Sequence, residues 1–249
     1  MNKVDLHIHS TFSDGNNSPE DIVLSAIEKG LKKIGFSDHS FTHFDQSYCI
    51  SKNNIDNYID CINKLKTKYL DKIEIALGIE QDYYSEEKTD RYDYIIGSVH
   101  YVKANDKYIP IDESPEILVE AVEKYFQGNI YNLIEEYFQT IADIVNKTNA
   151  DIIGHIDLIS KFNENGHLFD EKDERYICAY TNACDKLLKT DKIFEINTGA
   201  ISRGYKTTPY PSNDIYNYLK TKGAKFILSS DSHSKDTLCY MFEKLNNLI

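Results

Sequence analysis

This sequence predicts an α/β fold, a distorted (βα)7 TIM-like barrel formed as a single domain. Three observations predict it. Seven short apolar runs alternate with helical patterns over 249 residues, the order of a parallel barrel one unit short of eight. No glycine-rich phosphate loop follows the first run, which weighs against an open doubly wound sheet. Almost every apolar run ends in a histidine or carboxylate, at the end where a parallel barrel builds its site.

The elements follow in order. VDLHIH is the first strand. SPEDIVLSAIEKG is a helix with Ser18 as N-cap, Pro19 in the first turn and Gly30 as its stop. KKIGFSDH is the second strand, followed by a helix from about Asn53 to Tyr69. IEIALGIE and YDYIIGSVHYV are the third and fourth strands. A helical insertion at about 103–128 contains a helix beginning at Ser114-Pro115, and a longer amphipathic helix is predicted from Asn129 to Lys147. ADIIGHID is the fifth strand, with a helix from about Lys172 to Leu188. IFEINTGA is the sixth, followed by a helix over PSNDIYNYLKTKG capped by Ser212 and stopped at Gly223. AKFILSSDSH is the seventh, and a helix from Lys235 to Leu248 closes the chain. No repeat or flexible linker interrupts 1–249.

Composition excludes several classes. Hydrophobic residues make up 41% of the chain, enough for a core, yet no apolar run reaches the length that crosses a bilayer. MNKVDLHIHS lacks the apolar core and cleavage site of a leader. Five cysteines without a C-x-x-C pair do not read as a disulfide framework, so a reducing cytoplasm is expected. A net charge of −12 disfavours nucleic acid and anionic membranes, which need clustered cations. It leaves room for a small phosphorylated substrate held by a few local charges.

The polar residues at the strand ends carry the chemistry. They are His7 and His9, Asp38-His39, Glu80, His100, His155 with Asp157, Glu195, and Asp231 with His233. Taken singly, each has an ordinary structural reading: His100 as a hydrogen-bonded histidine, Asp38 or Asp157 as a helix cap. Together they do not, because six of the eight histidines fall on one rim and only His43 and His167 lie elsewhere. Imidazole and carboxylate without thiolate suits Zn, Mn or Fe(II) and argues against a closed structural zinc cage. So many donors exceed the needs of one ion. Glu80 is the candidate to bridge two ions ~3.5–4 Å apart over a shared activated nucleophile. Asp5 and Asp157 read equally as outer partners of His7 and His155 or as structural acceptors at strand ends. Glu195 and Asn197 face the rim and are candidates to contact the substrate's amine or a coordinated water. The many tyrosines read mostly as core or surface filler.

DLHIHSTFSDG, GFSDHS, GIEQDYY, GSVHY, GHIDL, EINTGA and SSDSH, in that order, resemble the motifs of the PHP (polymerase and histidinol phosphatase) superfamily. They span essentially the whole chain. The resemblance implies a distorted seven-unit barrel with three divalent metal ions, Zn, Fe or Mn. One ion would be held by His7, His9, Glu80 and Asp231, a second by Glu80, His100 and His155, and a third by Asp14, His39 and His233. Glu80, Asp231 and His233 would then serve catalysis. Asp14, acidic where some members carry histidine, is similar to the histidinol-phosphate phosphatase branch, as is EINTGAISRGYKTTPYPS. There Arg203 matches a residue that grips the substrate phosphate, and Lys161 after GHIDLIS is a looser match for a second cation. The implied reaction is hydrolysis of L-histidinol phosphate in histidine biosynthesis, with no nucleic-acid or membrane partner. The alternatives are another phosphoesterase of the superfamily, an amidohydrolase-type barrel, which expects eight strands, and an inactive binding module. The oligomeric state stays open.

Overall fold

The protein is described by a computed structural model covering residues 4–249. The first three residues of MNKVDLHIHS lie outside the described residues.

In chain order the elements are β1 (Val4–Asp5), α1 (Pro19–Glu28), β2 (Lys33–Phe36), α2 (Ile55–Lys68), β3 (Glu74–Asp82) and β4 (Tyr94–Ser98). A hairpin follows, β5 (Tyr101–Ala104) and β6 (Lys107–Pro110), then α3 (Pro115–Tyr125), α4 (Ile130–Ile141), α5 (Ile144–Thr148) and β7 (Ile152–Ile153). The rest is α6 (Glu174–Leu187), β8 (Ile193–Asn197), α7 (Gly199–Ser202), α8 (Asn213–Thr221), β9 (Lys225–Ser229) and α9 (Phe242–Leu245). Seven strands pair in the order β1-β2-β3-β4-β7-β8-β9, every pair parallel. The ring closes at its upper edge through an Ile8–Ser232 bridge. There the His9 N–H donates to Ser232 O at 2.9 Å and the Ser232 N–H to His7 O at 3.1 Å. The open-sheet alternative is thereby excluded.

Helices take the outside because their apolar stripes match the outer faces of the strands. One core joins α3, α4, α6 and α8 to the second half of the barrel; another joins α1 and α2 to the first half. Between the strands, Ala76, Tyr94, Ile96 and Ile152 form a separate plug. The Tyr94 hydroxyl reaches from β4 across to β1 and β2, donating to Leu6 O at 2.6 Å and within 3.2 Å of Phe36 O. Gly78 makes room for that ring, since a Cβ there would lie 2.2 Å from it. The barrel is packed below and polar above, so its rim is where chemistry is possible.

Local departures from the sequence expectations have physical causes. Among the described residues, the first and fifth strands pair over two residues each. Tyr101–Ala104 leaves the barrel for the hairpin instead of prolonging the fourth strand, and Ile109 pairs in its second strand. The helix expected over Asn129–Lys147 breaks after Ile141. At the break the Asp143 N–H bonds to Thr140 O, and its carboxylate is turned to Tyr83 and Asn146. The closing helix expected from Lys235 to Leu248 is three short turns. Cys239 and Met241 take left-handed φ of 55° and 58°, and the Cys239 N–H is captured by the buried Asp5 carboxylate at 2.9 Å. Ser18 caps α1 as expected, accepting from Asp21 N.

Candidate metal centre

The strand ends bring nine predicted residues to one bowl. Glu80, at the upper end of β3 and 1% exposed, sits at its base. Its two oxygens lie 3.4 Å from His7 Nε2, 3.6 Å from His9 Nε2, 2.8 Å from His39 Nδ1, 3.5 Å from His100 Nε2 and 3.1 Å from His155 Nε2. Neither oxygen has a hydrogen-bond partner, and neither do His7 Nε2 or both nitrogens of His9. Five imidazole nitrogens thus crowd one carboxylate without hydrogen-bond geometry to it. Asp14 forms the outer wall, 3.8 Å from His9 Nδ1, 3.7 Å from His39 Nε2 and 3.2 Å from His233 Nε2. Asp231 Oδ1 lies 3.3 Å from His9 Nε2 and 3.9 Å from His7 Nε2.

Donor atoms within 4.8 Å of one another fall into three groups: His7, His9 and Glu80; His39, Glu80 and His100; and His9, Asp14, His39 and His233. This differs in detail from the partition the resemblance implies. His39 leans inward to Glu80, and His9 belongs to two groups. His155 and Asp231 stand outside the three groups by distance but touch Glu80 and His9 respectively. The orphaned buried atoms and the oxygen–imidazole donor set fit divalent cations.

The electrostatics agree with that fit. Burial alone would lower the histidine pKa values, yet Glu195, Glu80 and Asp231 hold His7 well above its ordinary value. His100 is likewise buried but raised to about 9 by Glu80 and Asp82. His9 is the opposite case: burial, with His233 and His39 beside it, takes it down to about 3, so it stays neutral with one ring nitrogen's lone pair free. Burial would raise the Glu80 carboxyl, but His7, His39 and His100 hold it well below the carboxylate range. The buried carboxylates draw positive charge into the bowl, as protons on the imidazoles or as cations among them.

A cavity of about 370 Å³ opens above the bowl. Arg203, at the end of α7 with 30% of its side chain exposed, lines it. Its Nη1 donates to Asp231 O at 3.0 Å and lies 2.8 Å from His233 Nδ1, while Nη2 donates to Asp231 Oδ2 at 3.1 Å. Gly199 permits this pairing, because a Cβ there would lie 2.6 Å from Asp231 Oδ2 and 2.9 Å from Arg203 Nη2. Lys161 also lines the cavity, but its Nζ is committed to Asp112, 2.7 Å from the carbonyl and 3.2 Å from Oδ2. It stands 4.7 Å from the Tyr205 ring centroid.

The residues around the histidines do not all behave as expected. The structural reading of Asp5 and Asp157 holds: Asp5 accepts the Ser230 and Cys239 N–H groups, and Asp157 accepts that of Ser212. Glu195 is buried against His7 Nδ1 at 2.5 Å, and Asn197 bonds to Glu195 and Asp231. Both are used up inside the rim, so neither reaches a substrate amine. Asp82, which the sequence reading passed over, accepts from the His100 backbone and lies 3.2 Å from its Nδ1. Period two from Glu80 was the available signal, since residues two apart share a strand face. Tyr48, Tyr101, Asp45 and Glu113 were also missed, although they line the cavity. Tyr48 packs edge-on against His39 at 4.9 Å. His43 and His167 are exposed and belong to none of the three donor groups.

A single parallel barrel carrying an imidazole–carboxylate bowl and a flanking arginine defines a class, and the comparisons with known proteins agree with it. The PHP domain family matches residues 5–199, and the chain belongs to that family. It is 28% identical to the histidinol-phosphatase of Lactococcus lactis subsp. lactis, over 94% of this chain and 85% of that protein. It is also 28% identical to a probable histidinol-phosphatase of Schizosaccharomyces pombe, over 86% of this chain and 74% of that one. Among solved structures, the histidinol phosphate phosphatase of Lactococcus lactis, complexed with Zn, L-histidinol and phosphate, superposes with a TM-score of 0.73. That match has 25% identity and covers 100% of this chain and 92% of that chain. A structure from Listeria monocytogenes shares the fold, with a TM-score of 0.82 at 20% identity, over 97% of this chain and 99% of that one.

Proposed function

We propose that this protein is a metal-dependent phosphatase that hydrolyses L-histidinol phosphate to L-histidinol and phosphate. The observation that carries the reading is Glu80, a buried carboxylate facing five imidazoles with neither oxygen hydrogen-bonded. The relatives' names and the ligands of the Lactococcus structure supply the substrate.

The residues that would hold the ions are His7, His9, Asp14, His39, Glu80, His100, His155, Asp231 and His233. Divalent ions bound there supply Lewis acidity toward phosphoryl oxygens and an activated water at neutral pH. The protein does the rest by placement. Arg203 is anchored on Asp231, so its planar fork is oriented before substrate arrives and donates to a phosphoryl oxygen. That contact fixes the ester for in-line attack by water as the P–O bond to the alkoxide breaks. Lys161 also lines the cavity, but its pairing with Asp112 offsets its charge. Asp45 and Glu113 also line the cavity and offer carboxylates to a cationic amine, and Tyr48 and Tyr101 offer ring faces to an imidazole. A cytoplasmic setting goes with this reading, since all five cysteines are free.

The test is kcat/KM of the metal-loaded protein on histidinol phosphate beside a panel of sugar phosphates, nucleotides and phosphopeptides. Histidinol phosphate is expected to lead the panel. A nucleotide or phosphopeptide leading it would overturn the substrate.

A further inference from the structure

Glu195 and Asn197 sit two apart on β8 and so share one face, and their hydrogen bonds form a closed brace under the bowl. Glu195 is 1% exposed and Asn197 fully buried. Oε1 of Glu195 lies 2.5 Å from His7 Nδ1. Its Oε2 accepts two donors, the His155 N–H and the Asn197 side-chain amide, each at 3.0 Å. The same amide nitrogen lies 3.3 Å from Asp231 Oδ2, while its oxygen accepts the Gly199 N–H at 2.8 Å. The Asn197 backbone is itself held by a reciprocal pair of bonds to Tyr210.

This arrangement leaves His7 one consistent state beside a cation. A carboxylate oxygen at Nδ1 requires the proton there, so Nε2 presents its lone pair. That lone pair faces Glu80 Oε2 at 3.4 Å and Asp231 Oδ1 at 3.9 Å without a hydrogen bond. Three acceptors around one point repel unless positive charge lies among them. We infer that Glu195 is a positioning residue that locks His7 as its Nδ1–H tautomer and aims Nε2 at a metal ion, with Asn197 carrying the brace to Asp231. The inference rests on the proposed metal centre and extends it to residues that touch neither ion nor substrate.

Glutamine at 195 tests the tautomer specifically. Its amide oxygen must face the two N–H donors, which turns its NH2 toward His7 Nδ1. That geometry favours the Nε2–H form, which has no lone pair to offer. The zinc-loaded wild type and Glu195→Gln are compared by competition with a chromogenic chelator and by the visible spectrum after Co²⁺ exchange. Zinc affinity is expected to fall about 10–100-fold, the usual cost of losing an outer partner of a ligand, with altered Co²⁺ bands and little change in KM for the phosphate ester. Affinity within twofold of wild type and an unchanged Co²⁺ spectrum would overturn the brace. Imidazole ¹⁵N spectra of the zinc-loaded wild type decide the matter even if the variant does not fold. A protonated Nδ1 on His7 supports the inference, and a protonated Nε2 overturns it. A wild type that holds zinc tightly yet prefers another ester sinks the substrate reading and leaves the brace standing.

Discussion

Two buried glutamates flank the His7 ring, and their surroundings are opposites. On the Nδ1 side, Glu195 spends both oxygens on three partners. On the Nε2 side, Glu80 has imidazole nitrogens at 2.8–3.6 Å and no hydrogen bond at all. Burying a charged carboxylate without partners is costly, so such a group needs a compensating cation. The contrast separates scaffold from site: where every donor and acceptor is matched the chain is holding itself, and where they are systematically unmatched it is built to hold something else.

The largest effect should come from the unmatched side. Glu80→Gln removes the central charge of the bowl, and metal catalysis of this kind is worth several kcal/mol. We expect kcat/KM to fall by on the order of 10³-fold together with metal content, read by steady-state kinetics and elemental analysis. Full turnover with full metal content would erase the distinction between the two glutamates. Next comes Arg203→Lys, which keeps charge but loses the fork. One charge-assisted hydrogen bond is worth about 1.5–3 kcal/mol, so kcat/KM should drop about 10–100-fold while metal content stays level. Gly199→Ala probes the seam between brace and clamp. Its methyl would meet Asp231 Cβ at 2.8 Å, and overpacking of this sort costs roughly 1–3 kcal/mol, measurable by urea unfolding. At the bottom of the scale, His43→Gln and His167→Gln remove the two exposed histidines. Metal content should be unchanged and stability should move by no more than about 0.5 kcal/mol; a lost ion in either variant would mean the bowl has been drawn too small.

The same contrast explains how much of this was legible in the sequence. The barrel order and the rim were readable because strand and helix periods are local and donor types clustered at strand ends. The brace was not, because its meaning depends on partners 188 residues apart, as in Glu195 with His7. The Asp5 carboxylate likewise stops the last helix from 234 residues away by taking the Cys239 amide. Lys161 looked like a free cation in the sequence and is paired to Asp112 across 49 residues. The rest of the cavity lining was hidden for a related reason. Tyr48 and Tyr101 meet over the bowl because a loop and a hairpin fold back together, and tyrosine-rich segments carry no periodic mark of that.

Anomalous-difference diffraction from crystals grown with zinc or manganese tests the central claim most directly. The account predicts separate peaks among His7, His9 and Glu80, among His39, Glu80 and His100, and beside Asp14 and His233. A bowl without peaks, in crystals of protein that still turns over histidinol phosphate, would contradict it.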